Sequence, residues 1–220
     1  MATASAPASW LAHPRAEALL RFDMLPSTWL HPSRAGGLVP AALEGLAALH
    51  RHLSAALRRE FSLQAVTGFD DPTLPIALLP DDRLARLAFF AGIALLRTQV
   101  RQAIAREPVA HLREQLGAEA LDFAHPSHDG FELTFMEEVL QPEAARTQCE
   151  RWGYAWLAQV FEAAESGVGR RALLRLPADT EAGRERLAEA GLAPAQALAM
   201  ARGLMQQLEP TWLSSFPAAR

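Results

Sequence analysis

Leucines and alanines return every three or four residues along most of this chain, the spacing that lines up one face of an α-helix. After Pro40 the series Leu43, Leu46, Leu49, Leu53 and Leu57 forms one stripe, with Arg51, Arg58 and Arg59 largely off it. A proline has no N–H to leave unpaired in a first helical turn, so Pro40 suits a helix start. From Asp81 to about residue 105 two stripes run side by side. One holds Leu84, Leu87, Ala88, Ala91 and Leu95; the other holds Phe89, Ile93, Leu96, Val100 and Ile104. A helix that is apolar almost all round needs neighbours on every side, so this is the predicted central helix. Asp81 and Asp82 supply its cap and an acidic first turn.

Shorter helices are expected over 14–21, with Ala18, Leu19 and Phe22 facing inward, and near 108–116 and 118–124. Pro26 to Leu30 reads as a short helical turn. Pro142 opens a long helix to about Glu165, in which Trp152, Trp156 and Val160 share a side and which Gly167 and Gly169 end. Two last helices fall near 180–190 and 194–208, parted by Gly191 and Pro194. Gly68, Pro72, Pro75 and Pro80 make residues 66–80 a loop, with a short extended piece at Ile76 to Leu79. Arg171 to Leu176 reads as a short strand, and Phe131 to Leu140 mixes an alternating start with a helical end. Met1 to Ser9 is rich in Ala, Ser, Thr and Pro and is expected to be a disordered tail. Residues 10–217 are expected to form a single compact, orthogonal helical domain around the helix near 81–105. No repeat of 20 to 50 residues is present, which argues against a solenoid.

Composition sharpens the fold class. The 220 residues include 44 Ala and 34 Leu against 10 Val and Ile together. Sheets are built largely from β-branched residues, whereas Ala and Leu are the strongest apolar helix formers. The expected class is therefore all-α, mostly helical, with at most one or two short β segments. The net charge of −4 argues against a nucleic-acid partner held by bulk positive charge. All 21 basic residues are Arg, which reads as genomic base composition. Cys149 stands alone, so no intramolecular disulfide or thiolate metal cage can form, which fits a reducing compartment. The longest apolar run, Leu87 to Leu96, is about half a membrane span. With no secretory signal at the start, a cytoplasmic protein is expected.

Chemistry-bearing motifs are few. Neither a glycine-rich phosphate loop nor a G-x-S-x-G elbow occurs. Cys149, beside Glu150 and Arg151, reads as a small residue at a helix–helix contact rather than a reactive thiol. His125, His128 and Asp129 form the best metal candidate, though Pro126 and Gly130 place them in a turn. His50 and His52 fall on different faces of one helix, and His13 and His31 each precede a proline, which reads as turn chemistry. Of the paired carboxylates Asp70/Asp71, Asp81/Asp82 and Glu137/Glu138, none reads as an acid/base couple. No catalytic, cofactor-binding or metal residue is assigned, and no cofactor is expected.

Charge distribution adds one feature. Residues 114–145 hold eight carboxylates (Glu114, Glu119, Asp122, Asp129, Glu132, Glu137, Glu138, Glu143) and no Arg. The stretch before it, 83–113, holds six Arg and one carboxylate, Glu107. Either the two stretches pack together and neutralise each other, or an acidic surface remains that steers a basic partner. Glu119, Asp122, Glu132, Glu137 and Glu138 are the expected partner-binding residues.

Five blocks then carry a resemblance. They are Leu20-Arg21-Phe22 with Leu25-Pro26-Ser27-Thr28-Trp29; Glu60-Phe61-Ser62-Leu63; and Leu84-Ala85-Arg86-Leu87 through Ala103-Ile104. Trp152-Gly153-Tyr154-Ala155-Trp156-Leu157 and Leu173-Leu174-Arg175-Leu176-Pro177 follow in order. In that order and spacing the chain resembles the SctK/YscK family, accessory proteins of the bacterial type III secretion sorting platform. The resemblance implies a non-catalytic, mostly helical cytosolic adaptor. It would bridge the cytoplasmic domain of an SctD-like inner-membrane ring protein and an SctQ-like pod protein. It would be recruited to the cytoplasmic face of the inner membrane without inserting into it, and be a monomer when isolated. The family has no catalytic residues to carry over. Two other classes stand beside this reading: an all-helical metal-dependent enzyme using His125, His128 and Asp129, and a type III secretion chaperone.

Overall fold

Prolines and glycines cut the apolar periodicity into short helices. A computed structural model describes residues 9–36, 46–106, 109–124 and 139–217, and it is all-α, with no strand among the described residues. Among these residues, too, no helix is long and apolar enough to cross a membrane. The tail before Ser9, the helix start at Pro40 and the ambiguous stretch from Phe131 to Glu138 lie outside the described residues. The chain divides into two compact units.

The first unit comprises Met1–Leu79, Phe161–Ala178 and Glu209–Arg220. Helix α1, Ala16–Met24, buries Leu19 and Phe22 as its periodicity requires. A 3-10 turn, Pro26–Trp29, follows, and Trp29 meets Phe22 edge-on with ring centroids 5.8 Å apart. Helix α2 is a single turn, Pro32–Ala35. Helix α3, Ala47–Glu60, packs on the 3-10 turn through Ser54, its one fully buried side chain. Ser54 Oγ lies 2.8 Å from Ser27 Oγ and accepts from the Ser27 N–H. The leucine stripe of α3 is thus only partly covered: Leu49, Leu53 and Leu57 are half-buried and Leu46 is exposed.

Neither expected β segment forms, and each begins in a helix instead. Leu74–Ala77 is the one-turn helix α4, because Pro75 sits in the first turn, where no N–H is missed. Ser166–Leu174 is helix α10. Gly167 and Gly169 lie inside it rather than ending the helix before. A Cβ on Gly169 would stand 2.6 Å from Phe161 O, and one on Gly167 would stand 3.0 Å from Gln64 O. These glycines serve close backbone approach, not helix termination. The one-turn helix α13, Pro210–Leu213, is anchored by Trp212 Nε1, which donates to Pro75 O at 2.7 Å.

The second unit comprises Pro80–Val160 and Asp179–Leu208. The central helix forms as expected but in two pieces, α5 over Asp81–Leu95 and α6 over Arg97–Arg106, with the break at Leu96. Every α5 residue from Leu87 to Leu95 is buried. Pro80 occupies the N-cap, so Asp81 and Asp82 complement the helix dipole in the first turn but do not cap it. Helices α7, Val109–Leu116, and α8, Ala118–Phe123, follow, then a 3-10 turn, Pro142–Ala144, leading into α9, Ala145–Phe161. Helix α11 spans Thr180–Glu189, and α12, Pro194–Leu208, packs on α5.

Helices α5 and α9 cross at backbone contact. A Cβ on Gly92 would lie 1.8 Å from Cys149 O, and one on Gly153 would lie 1.6 Å from Ala88 O. Ala88 and Gly92 are one turn apart, as are Cys149 and Gly153, so four small residues form the crossing. Cys149 is fully buried there, the contact residue its neighbours suggested. Trp152 and Trp156, on the same helix, are both 2% exposed. Helix propensity alone makes Gly153→Ala stabilising by about 1 kcal/mol. The crossing makes it destabilising, by about 2 kcal/mol or more, since the helices must part. Urea denaturation of the two proteins decides between these opposite signs.

Candidate functional site

Three charged interior side chains, Asp71, Arg171 and Arg175, are bound into the scaffold. Asp71, 5% exposed, accepts from Thr73 N at 2.7 Å, Thr73 Oγ1 at 2.6 Å and Glu165 N at 2.8 Å. Arg171, 2% exposed, pairs with Asp23 Oδ1 at 2.8 Å and donates to the carbonyls of Gln64, Gly167 and Asp23. Burial pulls the Arg171 pKa down; Asp23 opposes that and Arg58 adds to it. Arg175 donates to Ala77 O and Leu79 O, with its guanidinium 4.4 Å from the Trp29 ring centre. Burial above all, and then Glu150, push the Cys149 thiol up to about 12. His13 and His31 do perform turn chemistry, each ring accepting from the backbone N–H two residues on. Among the described residues no group of three or more His, Cys, Asp or Glu is placed to hold a metal ion. His125, His128 and Asp129 lie outside the described residues.

The acidic stretch is described in part. Gly117, at φ +83°, turns the chain between α7 and α8, a conformation L side chains resist. Helix α8 then presents Glu119 and Asp122, both exposed. Glu119 pairs with Arg86 of α5, so here the Arg-rich and acidic stretches do meet and neutralise each other. Asp122 forms no ion pair among the described residues. The Arg86 guanidinium also lies 5.3 Å from the centre of Phe90, which meets Phe123 edge-on at 5.2 Å. Arg86, Phe90, Glu119 and Arg146 border a shallow hollow of about 400 Å³ with mixed charge. Glu132, Glu137 and Glu138 lie outside the described residues.

A second surface was missed by the sequence reading. Between α1 and α3 lies an open groove of about 800 Å³. Leu20, Met24 and Leu25 give it apolar lining, and Arg21, Arg51 and Arg58 give it charge. Its signal was present in the pattern. Leu20 and Met24 sit one turn apart on the face of α1 away from Leu19 and Phe22, which are buried. An apolar pair on the outer face of an amphipathic helix is surplus to the core.

A family model described as YOP proteins translocation protein K (YscK) matches residues 17–213, from the first turn of α1 to the end of α13. The chain belongs to the YscK family. It is therefore a type III secretion protein. Comparison with curated proteins and with solved structures gives no match. In this YscK-family chain the matched span takes in the α5–α9 crossing, the buried arginines and both surfaces.

A thiol sealed in the crossing and shifted so far up has almost no thiolate at neutral pH. A thiol-specific maleimide at pH 7.5 is expected to leave native protein unlabelled and to add one label per chain in denaturant. Rapid labelling of the native protein contradicts the burial of Cys149.

Proposed function

We propose that this protein is a cytosolic, non-catalytic adaptor of the type III secretion system. In this reading it links the sorting-platform pods to the cytoplasmic face of the inner-membrane ring. Its partners are an SctD-like ring domain and an SctQ-like pod protein. The observation that carries the reading is the family match over 197 of 220 residues, 17–213. The chemistry of the interior supports it. Asp71, Arg171 and Arg175 are each tied to backbone groups of a distant segment, which suits a rigid body that acts through its outside.

The acidic face of α8 is one contact surface in this proposal. Asp122 offers an exposed carboxylate, and Glu119 exchanges Arg86 for a partner's cation. An exposed pair of that kind contributes at most about 1 kcal/mol, so the exchange is inexpensive. Glu119→Arg with Asp122→Arg is expected to leave the urea midpoint nearly unchanged and to weaken capture by the purified SctD-like or SctQ-like domain. Unchanged capture by both removes α8 from the contact.

Deletion of the gene is expected to stop secretion while leaving the membrane rings assembled, and the wild-type gene should restore it. The protein should also co-purify with the ring or pod component. Normal secretion in the deletion strain overturns the adaptor reading.

A further inference from the structure

The groove between α1 and α3 is an unsatisfied surface. Met24 is 52% exposed and Leu20 39% exposed. Facing them, Ala47, Arg51 and Arg58 fall along one side of α3. That helix buries Ser54 alone, leaving Leu53 and Leu57 only half-covered. Arg21, Arg51 and Arg58 form no ion pair among the described residues, and no carboxylate is among the described residues lining the groove. The floor is apolar and the rim is cationic.

Such a surface selects its occupant. The apolar floor calls for an apolar stripe, and the three guanidiniums call for carboxylates beside it. The walls are helices, so they offer the ligand no sheet edge. A segment lying there must satisfy its own backbone hydrogen bonds, which makes it a helix. Arg51 and Arg58 are two turns apart, roughly 10.5 Å along α3, so carboxylates seven residues apart on a parallel helix match them.

We propose that the α1–α3 groove binds an acidic amphipathic helix of a partner protein, with Leu20 and Met24 receiving its apolar stripe and Arg51 and Arg58 its carboxylates. This site is separate from the acidic face of α8. It does not depend on which secretion component is the partner.

The test uses the full-length protein and three probes. The first is a fluorescein-labelled helical peptide of about five turns, with Leu at helical spacing and Glu on both flanks, seven residues apart. The second replaces each Glu by Lys. The third is a vesicle of phosphatidylserine and phosphatidylcholine. Fluorescence anisotropy is expected to show saturable binding of the Glu peptide, weakened by salt, and none of the Lys peptide. Met24→Lys should weaken binding about tenfold or more through lost apolar burial. Arg51→Glu should weaken the Glu peptide and let the Lys peptide bind. Both positions are exposed, and circular dichroism melting checks that each variant folds. No saturable binding of the Glu peptide up to about 1 mM overturns the proposal, as does binding that both variants leave unchanged. Vesicle binding through Arg51 without peptide binding assigns the groove to lipid, and self-association abolished by Met24→Lys assigns it to a second copy. Either result also overturns it.

Discussion

A chain cut into short helices has a problem at every helix end: the last four carbonyls lack partners within the helix. Here arginine answers it repeatedly. Arg171 donates to Asp23 O at the end of α1, and Arg170 to Phe61 O just past α3. Arg175 spans Ala77 O and Leu79 O after α4. Arg97 spans Phe123 O and Ala124 O after α8. Arg34 spans Leu176 O and Pro177 O after α10. The planar fork of a guanidinium reaches two carbonyls at once, and its charge suits the negative end of a helix dipole. A lysine offers neither the fork nor the reach in two directions. The absence of lysine, which reads as base composition in the sequence, therefore has structural uses in both units. Three of these arginines are buried, and each depends on its carbonyls to offset the cost of leaving water.

The second unit adds a steric constraint. Ala88, Gly92, Cys149 and Gly153 let α5 and α9 meet backbone to backbone, and the large side chains Trp152 and Trp156 are buried beside the contact. This crossing explains why α5 could be apolar on nearly all sides. Gln159 Nε2 donates to Leu192 O at 2.7 Å, tying α9 to the turn before α12, and Gly183 brings α11 against Ala155. What the scaffold leaves outside is charged: an acidic helix face in the second unit and a cation-rimmed apolar groove in the first. In the proposed adaptor role, these two surfaces are where recognition takes place.

Much of this was legible in the residue pattern. Helices α9, α11 and α12 are long or strongly periodic, and their spacing marked them within a few residues; it marked the start of α5 too, but not the break at Leu96. The two strand expectations failed for different reasons. Pro75 was counted as a breaker, though a proline in a first turn breaks nothing. Gly167 and Gly169 were counted as a stop, though their lack of Cβ serves close contacts, of Gly169 with Phe161 at the end of α9 and of Gly167 with Gln64, far away in the sequence. Long-range approach of this kind leaves no periodic trace. The candidate surface was half legible. Local charge counts marked Glu119 and Asp122, but the pairing of Glu119 with Arg86 joins residues 33 positions apart. The groove escaped because Leu20 and Met24 mark only one wall, and the α3 residues that complete it, Arg51 and Arg58, lie far along the chain.

The central claim is that the inside of this protein is structural and the outside functional. Saturation mutagenesis in a deletion strain, scored in parallel for protein abundance and for secretion, tests it directly. The account predicts that substitutions at Asp71, Arg97, Arg171 and Arg175 lose abundance and secretion together, while substitutions that keep abundance but lose secretion fall on exposed residues. A set of buried polar positions, or the trio His125, His128 and Asp129, that keeps abundance while abolishing secretion contradicts it.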